Sequence, residues 1–454
     1  MKKIIFINPR LIRIKLKQEK RIQHRIWPPI ILASGCTAAK EQGYEAQLFD
    51  LNIEEDLISF NNINFKEIEK VIITTSPIDR WQCPPQTLDH VKGLVKGLRS
   101  QNVKEMIIFG PHGTMKPKET FKILKPDLMI LGEPENTIER ILRNEDWSDL
   151  EGVVYLQGQK LIIKPKILLK EMDQLKMPDY NSLKLNKYNY PLLGSGKFTL
   201  MEFSRGCPYS CFYCMKKMYR KGYKTKSVEK FIEELKLAKR QGIKNIYIID
   251  LEFTLNPNLI ERLCERIKEE KMNMRWCCQT RADTLTDSLL KKMREAGCRL
   301  IHFGVETGSE RIMKIIKKQI TLEQIRRGIK LIKKNRIQTA CFFMLGFPQE
   351  KKEDIQKTIK FAKEINPDYV SFNIATPYPT TDFYDHIQYE KGYIPRAYTE
   401  EIDYDDLRRI VSKAYKEFYL RPRIIIRELF RNPLNVPRRL TLFFSYVTRY
   451  NSIK

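Results

Sequence analysis

Short β-rich runs alternate with helix-length segments in two separate series along this chain, and that rhythm restricts the fold more than any single residue does. In the first series the runs are residues 3–8, 45–50, 71–75, 106–110 and 127–131, separated by segments such as 30–42 and 85–100 that are long enough for helices. A parallel crossover needs a connection of helix length, so this spacing predicts a parallel sheet with helices on both faces. Ligands of such sheets lie beyond the carboxyl ends of the strands. Here those ends are Asn8-Pro9, Thr75-Ser76-Pro77, Gly110-Pro111-His112-Gly113 and Gly132-Glu133. No GxGxxG follows the first run, which argues against a nicotinamide site.

Residues 151–166 read as a hairpin turning at Gly158, and a polar connector bearing Pro and Tyr runs on to about residue 196. The second series then begins, with runs at 198–203, 246–250, 275–279, 301–305, 340–345 and 369–373 and Lys/Glu-rich helices between them. Six βα units suit an open, partial barrel whose active site lies at the strands' carboxyl ends. The final stretch reads as mostly helical. The expected fold class is therefore α/β: a Rossmann-like doubly wound parallel sheet over 1–150, a hairpin and connector over 151–197, a partial (β/α)6 TIM-type barrel over 198–388, and a helical region over 389–454.

Chemistry concentrates just after the first strand of the barrel. The segment SRGCPYSCFYCMKK sets Cys207, Cys211 and Cys214 in a CxxxCxxC spacing, with Gly206 and Pro208 shaping a loop. Three thiolates on one loop hold three irons of a 4Fe-4S cluster and leave the fourth iron open to chelate a substrate. A zinc site would need a fourth ligand, and neither a nearby His nor a second CxxC is present. Clustering of this kind in a reducing compartment points to metal or catalysis before disulfides. The other seven cysteines (36, 83, 264, 277, 278, 298 and 341) are scattered, mostly in apolar segments where a thiol packs as a small hydrophobe.

With Tyr213 before the last cysteine, this motif resembles that of the radical S-adenosylmethionine (SAM) superfamily. The resemblance continues at the strand ends: Ile249-Asp250-Leu251-Glu252-Phe253, Gln279-Thr280-Arg281-Ala282-Asp283, Gly304-Val305-Glu306-Thr307-Gly308-Ser309, Leu345-Gly346-Phe347-Pro348, and Thr376-Pro377-Tyr378-Pro379. It implies that these positions serve SAM. Gly304 and Gly346 would admit the adenosine closely, with Phe347 and Pro348 beside it. Glu252 or Glu306 would bind the ribose hydroxyls or the ammonium, and Arg281 the carboxylate. The bland alternatives are that Glu306 caps the helix starting near Ser309 and that Arg281 pairs with Asp283.

The first unit narrows the resemblance. Trp27-Pro28-Pro29-Ile30, Glu41-Gln42-Gly43-Tyr44-Glu45, Gly110-Pro111-His112-Gly113-Thr114, Leu131-Gly132-Glu133-Pro134-Glu135 and the connector Met177-Pro178-Asp179-Tyr180 are similar to the cobalamin-binding domain that precedes many radical SAM cores. The class includes anaerobic magnesium-protoporphyrin monomethyl ester cyclases, cobalamin-dependent carbon methylases and lipid-tailoring enzymes. It implies three cofactors: a 4Fe-4S cluster, SAM, and cobalamin near Thr75, Gly110, His112 and Gly132. The DxHxxG motif that supplies a histidine to cobalt is absent. His90-Val91-Lys92-Gly93 offers HxxG with Leu at position 88, inside a helical segment, so His90 is expected at the surface.

On this likeness SAM is cleaved reductively, with electrons from a donor such as flavodoxin or ferredoxin, and an unactivated carbon is functionalised. Methyl transfer is the leading outcome, and ring closure or oxidation without methyl transfer is the alternative. A methylthiotransferase would carry a second cluster on three N-terminal cysteines, where only Cys36 and Cys83 stand here.

Charge admits a further rival. The chain has 82 Lys+Arg against 55 Asp+Glu, a formal net charge of +27, with a local excess at Lys216, Lys217, Arg220, Lys221, Lys224 and Lys226. A basic nucleic-acid-binding protein with a structural Fe–S or zinc module would fit that balance, but no nucleic-acid motif accompanies it. The segment 421–454 has eight Lys/Arg and one Glu, a net of +7, interleaved with Ile424, Ile425, Ile426, Leu429, Phe430, Leu442, Phe443 and Phe444. It reads either as a basic amphipathic helix on an anionic membrane or as a helix packed across the barrel's open edge. A hydrophobic or lipid-like substrate is the matching expectation. No apolar run reaches the ~18 residues of a membrane span, and the N-terminus lacks a secretory pattern, so a cytoplasmic protein, in part membrane-associated, is expected.

Overall fold

The computed structural model describes residues 2–10, 26–76, 83–219, 222–387, 393–397 and 399–431. Its first sheet contains β1 (Lys3–Asn8), β2 (Glu45–Asp50), β3 (Ile68–Thr74), β4 (Met106–Phe109), β5 (Leu128–Ile130), β6 (Val153–Gln157) and β7 (Lys160–Ile163) in the order β2-β1-β3-β4-β5-β6-β7. The strands are parallel as far as β5, and β6 and β7 add on antiparallel. The hairpin expected within the connector thus completes the first sheet. Side chains alternate across a strand, and in β1 this sends Ile4 and Phe6 into one core and Ile5 and Ile7 into another, so both faces are covered. The strand order reverses between β1 and β3, which opens a crevice at their carboxyl ends.

The second sheet is all parallel, in the order β15-β14-β13-β12-β11-β8, from β8 (Lys197–Met201), β11 (Ile243–Ile248), β12 (Arg275–Thr280), β13 (Cys298–Glu306), β14 (Gln338–Leu345) and β15 (Tyr369–Ile374). Two short strands, β9 (Ser204–Arg205) and β10 (Lys224–Thr225), pair antiparallel beside it. The strands β8 and β15 remain edges, so the sheet is a half-barrel. Rings of Tyr247, His302 and Phe342 stack from three of its strands, with centroids 4.8 and 5.5 Å apart. Tyr190 of the connector meets them, its hydroxyl 3.1 Å from His302 Nε2.

One continuous apolar core joins the units, because the helix Ile30–Glu41 packs against the first sheet and, through Trp27, reaches the rings of Tyr190 and Phe198. The open edge of β15 is covered by the helix Tyr404–Tyr419. Its Tyr419 hydroxyl accepts from the amide of Val370 and donates to the carbonyl of the same residue, both at 2.9 Å, and Tyr415 accepts from the amide of Phe372 at 3.0 Å. Edge amides that would otherwise seek another strand are thereby satisfied. Beyond that helix, Arg427 on the helix Pro422–Arg431 donates to the Asp368 carbonyl at 2.7 Å, while Leu420, Ile425 and Ile426 stay exposed. The rest of the basic tail, 432–454, lies outside the described residues. Among the described residues no helix is long and apolar enough to cross a membrane.

Candidate active site at the facing strand ends

The cysteine segment is the loop of a hairpin whose two legs are β9 and β10. Its start is pinned by Asp250 at the end of β11, whose buried carboxylate accepts from the Phe203 amide at 2.8 Å and the Ser204 hydroxyl at 2.6 Å. Burial pushes this carboxyl up to about 7, against the pull of those donors. Gly206 takes φ +90°, a conformation glycine adopts without strain, and so turns the chain into the loop. The middle of the loop is strapped down: the Phe212 amide donates to the Ile316 carbonyl at 2.9 Å, and the Phe212 carbonyl accepts from the Phe383 amide at 3.1 Å.

Cys207, Cys211 and Cys214 are all half-buried on this loop. Burial raises the Cys207 and Cys214 thiols, the latter to about 12, and the neighbouring cysteine sulfurs raise them further. Three thiols that repel one another as thiolates are a donor set that a cationic iron cluster would satisfy, so the residues fit that group. Among the described residues, no three His, Cys, Asp or Glu side chains stand already converged in a metal-holding arrangement. The other cysteines divide: 36, 264, 277, 278, 298 and 341 are buried, and Cys83 is exposed.

Around the loop the structure gathers several of the residues expected to serve SAM. The Tyr213 ring lies 5.6 Å from that of Phe347, and its hydroxyl accepts from Lys318 Nζ at 3.2 Å. Lys318 also pairs with Glu306 at 3.0 Å. A side chain at Gly304 would strike both partners of that pair. Glu306 therefore faces the site rather than capping the next helix, whose cap is Ser309. Glu252, also buried, accepts from the Arg281 amide at 3.0 Å and from the Thr280 hydroxyl, and burial pushes it up to about 7.

Arg281 is more committed than its expected role requires. It forms a two-pronged pair with Asp283 at 3.0 and 2.8 Å, donates to the carbonyls of Lys318 and Gln319, and lies over the Tyr209 ring at 3.7 Å. Gly346 takes φ +94°, and the space beside it is filled by Leu407 of the C-terminal helix. Its amide and that of Phe347 donate to Glu350, whose other carboxylate oxygen is buried without a partner. Pro348 follows in the same buried turn.

The ends of the first sheet face this loop. Met115 of the first unit, Met215 and Tyr219 of the cysteine segment, and Tyr378 and Ile394 form one apolar cluster. Tyr378 donates to the Pro84 carbonyl at 2.9 Å, and Tyr393 to the His112 carbonyl at 3.3 Å. Thr75 and Gly110 touch across β3 and β4, so closely that a Cβ at Gly110 would overlap the Thr75 hydroxyl. Gly132 takes φ +81° against the Ile167 carbonyl. His112 is fully buried, its Nε2 2.8 Å from the Pro85 carbonyl, and burial depresses it to about 4. The hydroxyl oxygen of Thr75 and Nδ1 of His112 are buried without partners, which suits a polar cofactor at these strand ends.

One expectation from sequence is corrected. His90 is not a surface residue: on the helix Asp89–Ser100 it is buried, its Nε2 3.0 Å from the Thr75 carbonyl. A carbonyl needs a donor, and the strand-end turn is where the helix meets it. Within the basic run, Lys216 is buried, Lys224 pairs with Glu133 at 3.1 Å and Lys226 with Glu234 at 2.6 Å, so these three lysines are engaged inside the protein. Sequence reading missed Lys318 and Glu350. Lys318 is one lysine in a Lys-rich chain, whereas Glu350, two residues past the Gly-Phe-Pro turn, carried a usable signal.

Residues 201–362 match the Radical SAM superfamily model. An uncharacterized methyltransferase of Pyrococcus horikoshii is 29% identical over 435 residues, 91% of this chain and 92% of that protein. The anaerobic magnesium-protoporphyrin IX monomethyl ester cyclase of Rubrivivax gelatinosus is 25% identical over 87% of this chain and 74% of its own length. In fold, the chain is similar to OxsB, a cobalamin-dependent S-adenosylmethionine radical enzyme solved with aqua-cobalamin and SAM bound. The TM-score is 0.70 at 15% identity, over 99% of this chain and 71% of that one.

Proposed function

The chain carries a radical SAM domain over residues 201–362, and from that premise we propose a cobalamin-dependent enzyme that methylates an unactivated carbon of a hydrophobic, lipid-like substrate. The observation that carries this reading is the facing of two strand-end surfaces, with Met115 of the first unit and Met215 and Tyr219 of the cysteine segment in one cluster. A cofactor on the first sheet and another on the half-barrel would then share one enclosed space. When bound, the iron–sulfur cluster, SAM and corrinoid supply radical and methyl-transfer chemistry; the chain's own task is to hold, orient and exclude water.

Cys207, Cys211 and Cys214 would ligate the cluster. Tyr213, Glu252, Gly304, Glu306, Gly346, Phe347 and Pro348 would surround SAM, with Arg281 acting through its hold on Lys318 rather than as a free cation. Thr75, Gly110, His112 and Gly132 would line the corrinoid face, with His112 Nε2 already engaged by the Pro85 carbonyl. The cyclase relative supports the alternative of ring closure or oxidation without methyl transfer.

Anaerobic reconstitution with iron, sulfide and hydroxocobalamin, followed by desalting, tests the reading. Retained corrinoid together with reductive cleavage of SAM to 5′-deoxyadenosine is the expected result. Cleavage without retained corrinoid would favour the non-methylating alternative, and the absence of both signals would overturn the proposal. A chemical reductant such as dithionite stands in for flavodoxin or ferredoxin. The lipid-like substrate is supported by the basic, apolar composition of 421–454 and the exposed Ile425 and Ile426. Deleting 432–454 is expected to abolish binding to anionic liposomes, and unchanged binding would remove that support.

A further inference from the structure

The legs of the cysteine hairpin place two cations directly opposite each other, Arg205 on β9 and Lys224 on β10. Like charges at facing positions of an antiparallel pair repel, and a ribbon of two residues a side, though anchored at its base by Asp250, has few bonds of its own to offset that repulsion. What closes it comes from the other unit. Arg205 Nη1 lies 3.1 Å from Glu133, Nη2 2.7 Å from Glu135, and Nε 2.8 Å from Glu202 of its own segment. Lys224 takes the second oxygen of Glu133 at 3.1 Å and also donates to the Leu169 carbonyl. The Arg205 and Glu133 side chains are only 4% and 2% exposed.

We propose that Glu133, on the turn after β5, and Glu135, the first residue of the helix Glu135–Leu142 that follows, are positioning residues for the iron–sulfur loop, acting through Arg205 and Lys224. The clasp grips the loop at its neck, two residues before Cys207, and it begins one residue after Gly132 at the end of the first sheet. The cysteine loop is therefore a part shared between the units, and its geometry depends on the docked first unit. Buried in this way, removal of one member leaves an uncompensated charge beside the loop. The inference rests on the radical SAM reading and adds to it a route by which the first unit sets the competence of the cluster.

The test uses the full chain, reconstituted anaerobically, as Arg205→Lys, Arg205→Met and Glu133→Gln. Lysine keeps the charge but cannot span three carboxylates, so it separates fork geometry from charge. We expect all three to keep the far-ultraviolet dichroism of wild type. SAM cleavage per bound cluster should fall about tenfold or more in Arg205→Met and Glu133→Gln, and by an intermediate factor in Arg205→Lys. The reduced cluster's paramagnetic resonance spectrum with SAM should change in the same order.

Wild-type spectra and wild-type cleavage per cluster in Arg205→Met and Glu133→Gln would overturn the clasp. So would losses that vanish once corrected for the folded fraction, since the role would then be structural only. If wild type itself bound no iron and cleaved no SAM, the radical SAM reading would fall, whatever the variants did.

Discussion

The ammonium of Lys318 sits 3.0 Å from the Glu306 carboxylate, in space that exists because residue 304 has no side chain. A Cβ on residue 304 would lie 2.2 Å from Glu306 Oε1 and 2.9 Å from Lys318 Nζ. Glu306 itself is held at φ +69°, which few side chains adopt without cost. The pair is thus built into the strand end, and the same Lys318 ties Arg281 and Tyr213 to it.

Breaking this pair should be costly. Lys318→Met leaves a carboxylate buried without its cation, and such losses run to about 3–5 kcal/mol. Urea unfolding is expected to show a clearly lower midpoint for Lys318→Met than for Lys330→Met, whose lysine lies exposed on the helix Leu322–Lys334. Gly304→Ala should behave like Lys318→Met; a wild-type midpoint would show that the pair relaxes freely.

The cysteines should separate by place. Cys207→Ala is expected to lose the iron–sulfide absorbance and SAM cleavage while remaining folded, because its thiol stands half-buried on the loop. Cys341→Ala should retain both, since its thiol is fully buried in β14 and burial holds it protonated. Loss of cleavage in Cys341→Ala at full iron loading would reassign that residue.

Acid should act against the folded state at His112, in opposition to Asp250, Glu252 and Glu350, whose carboxyls burial raises to about 7. Burial depresses the His112 imidazole to about 4, from an ordinary value of 6.5. Between those values the unfolded chain binds the extra proton at this residue, so the contribution of the neutral His112 is fully present above pH 6.5 and is lost as pH falls towards 4. The shift corresponds to about 3 kcal/mol at most. His112→Asn is expected to flatten that limb in urea titrations at pH 7, 6 and 5; an unchanged slope would place the acid response elsewhere.

The edge of β15 offers a test of the C-terminal helix. A Tyr415→Phe, Tyr419→Phe double variant strips the hydroxyls that serve the amides of Phe372 and Val370. Each unsatisfied amide costs about 1–3 kcal/mol, and an uncovered edge invites pairing with another chain. Lower stability and concentration-dependent association by light scattering are the expected outcomes.

Much of this was legible in residue order. The run 3–8 coincides with β1 because a strand buried on both faces must be almost continuously apolar, and the run 45–50 coincides with the edge strand β2, whose last three residues are buried. The cysteine loop was legible because its spacing is local: three thiols within eight residues can meet only on one loop. His90 was misread for the opposite reason. Helical pattern says which face is apolar, but not that the Thr75 carbonyl waits there for a donor.

The sequence by itself determined the two series of parallel strands, the ligand loop and the class of chemistry, since each rests on local periodicity or short spacing. Tertiary structure alone decided which charges are spent and which stand ready. Lys224 is drawn into Glu133, Lys318 emerges from many lysines as the partner of Glu306, and the pairing of Arg281 with Asp283, which their spacing already offered, is realised. Partners separated by up to 91 positions cannot be paired from order alone. Burial also multiplies the cost of leaving such groups unpaired, so the fold, not the composition, fixes their roles.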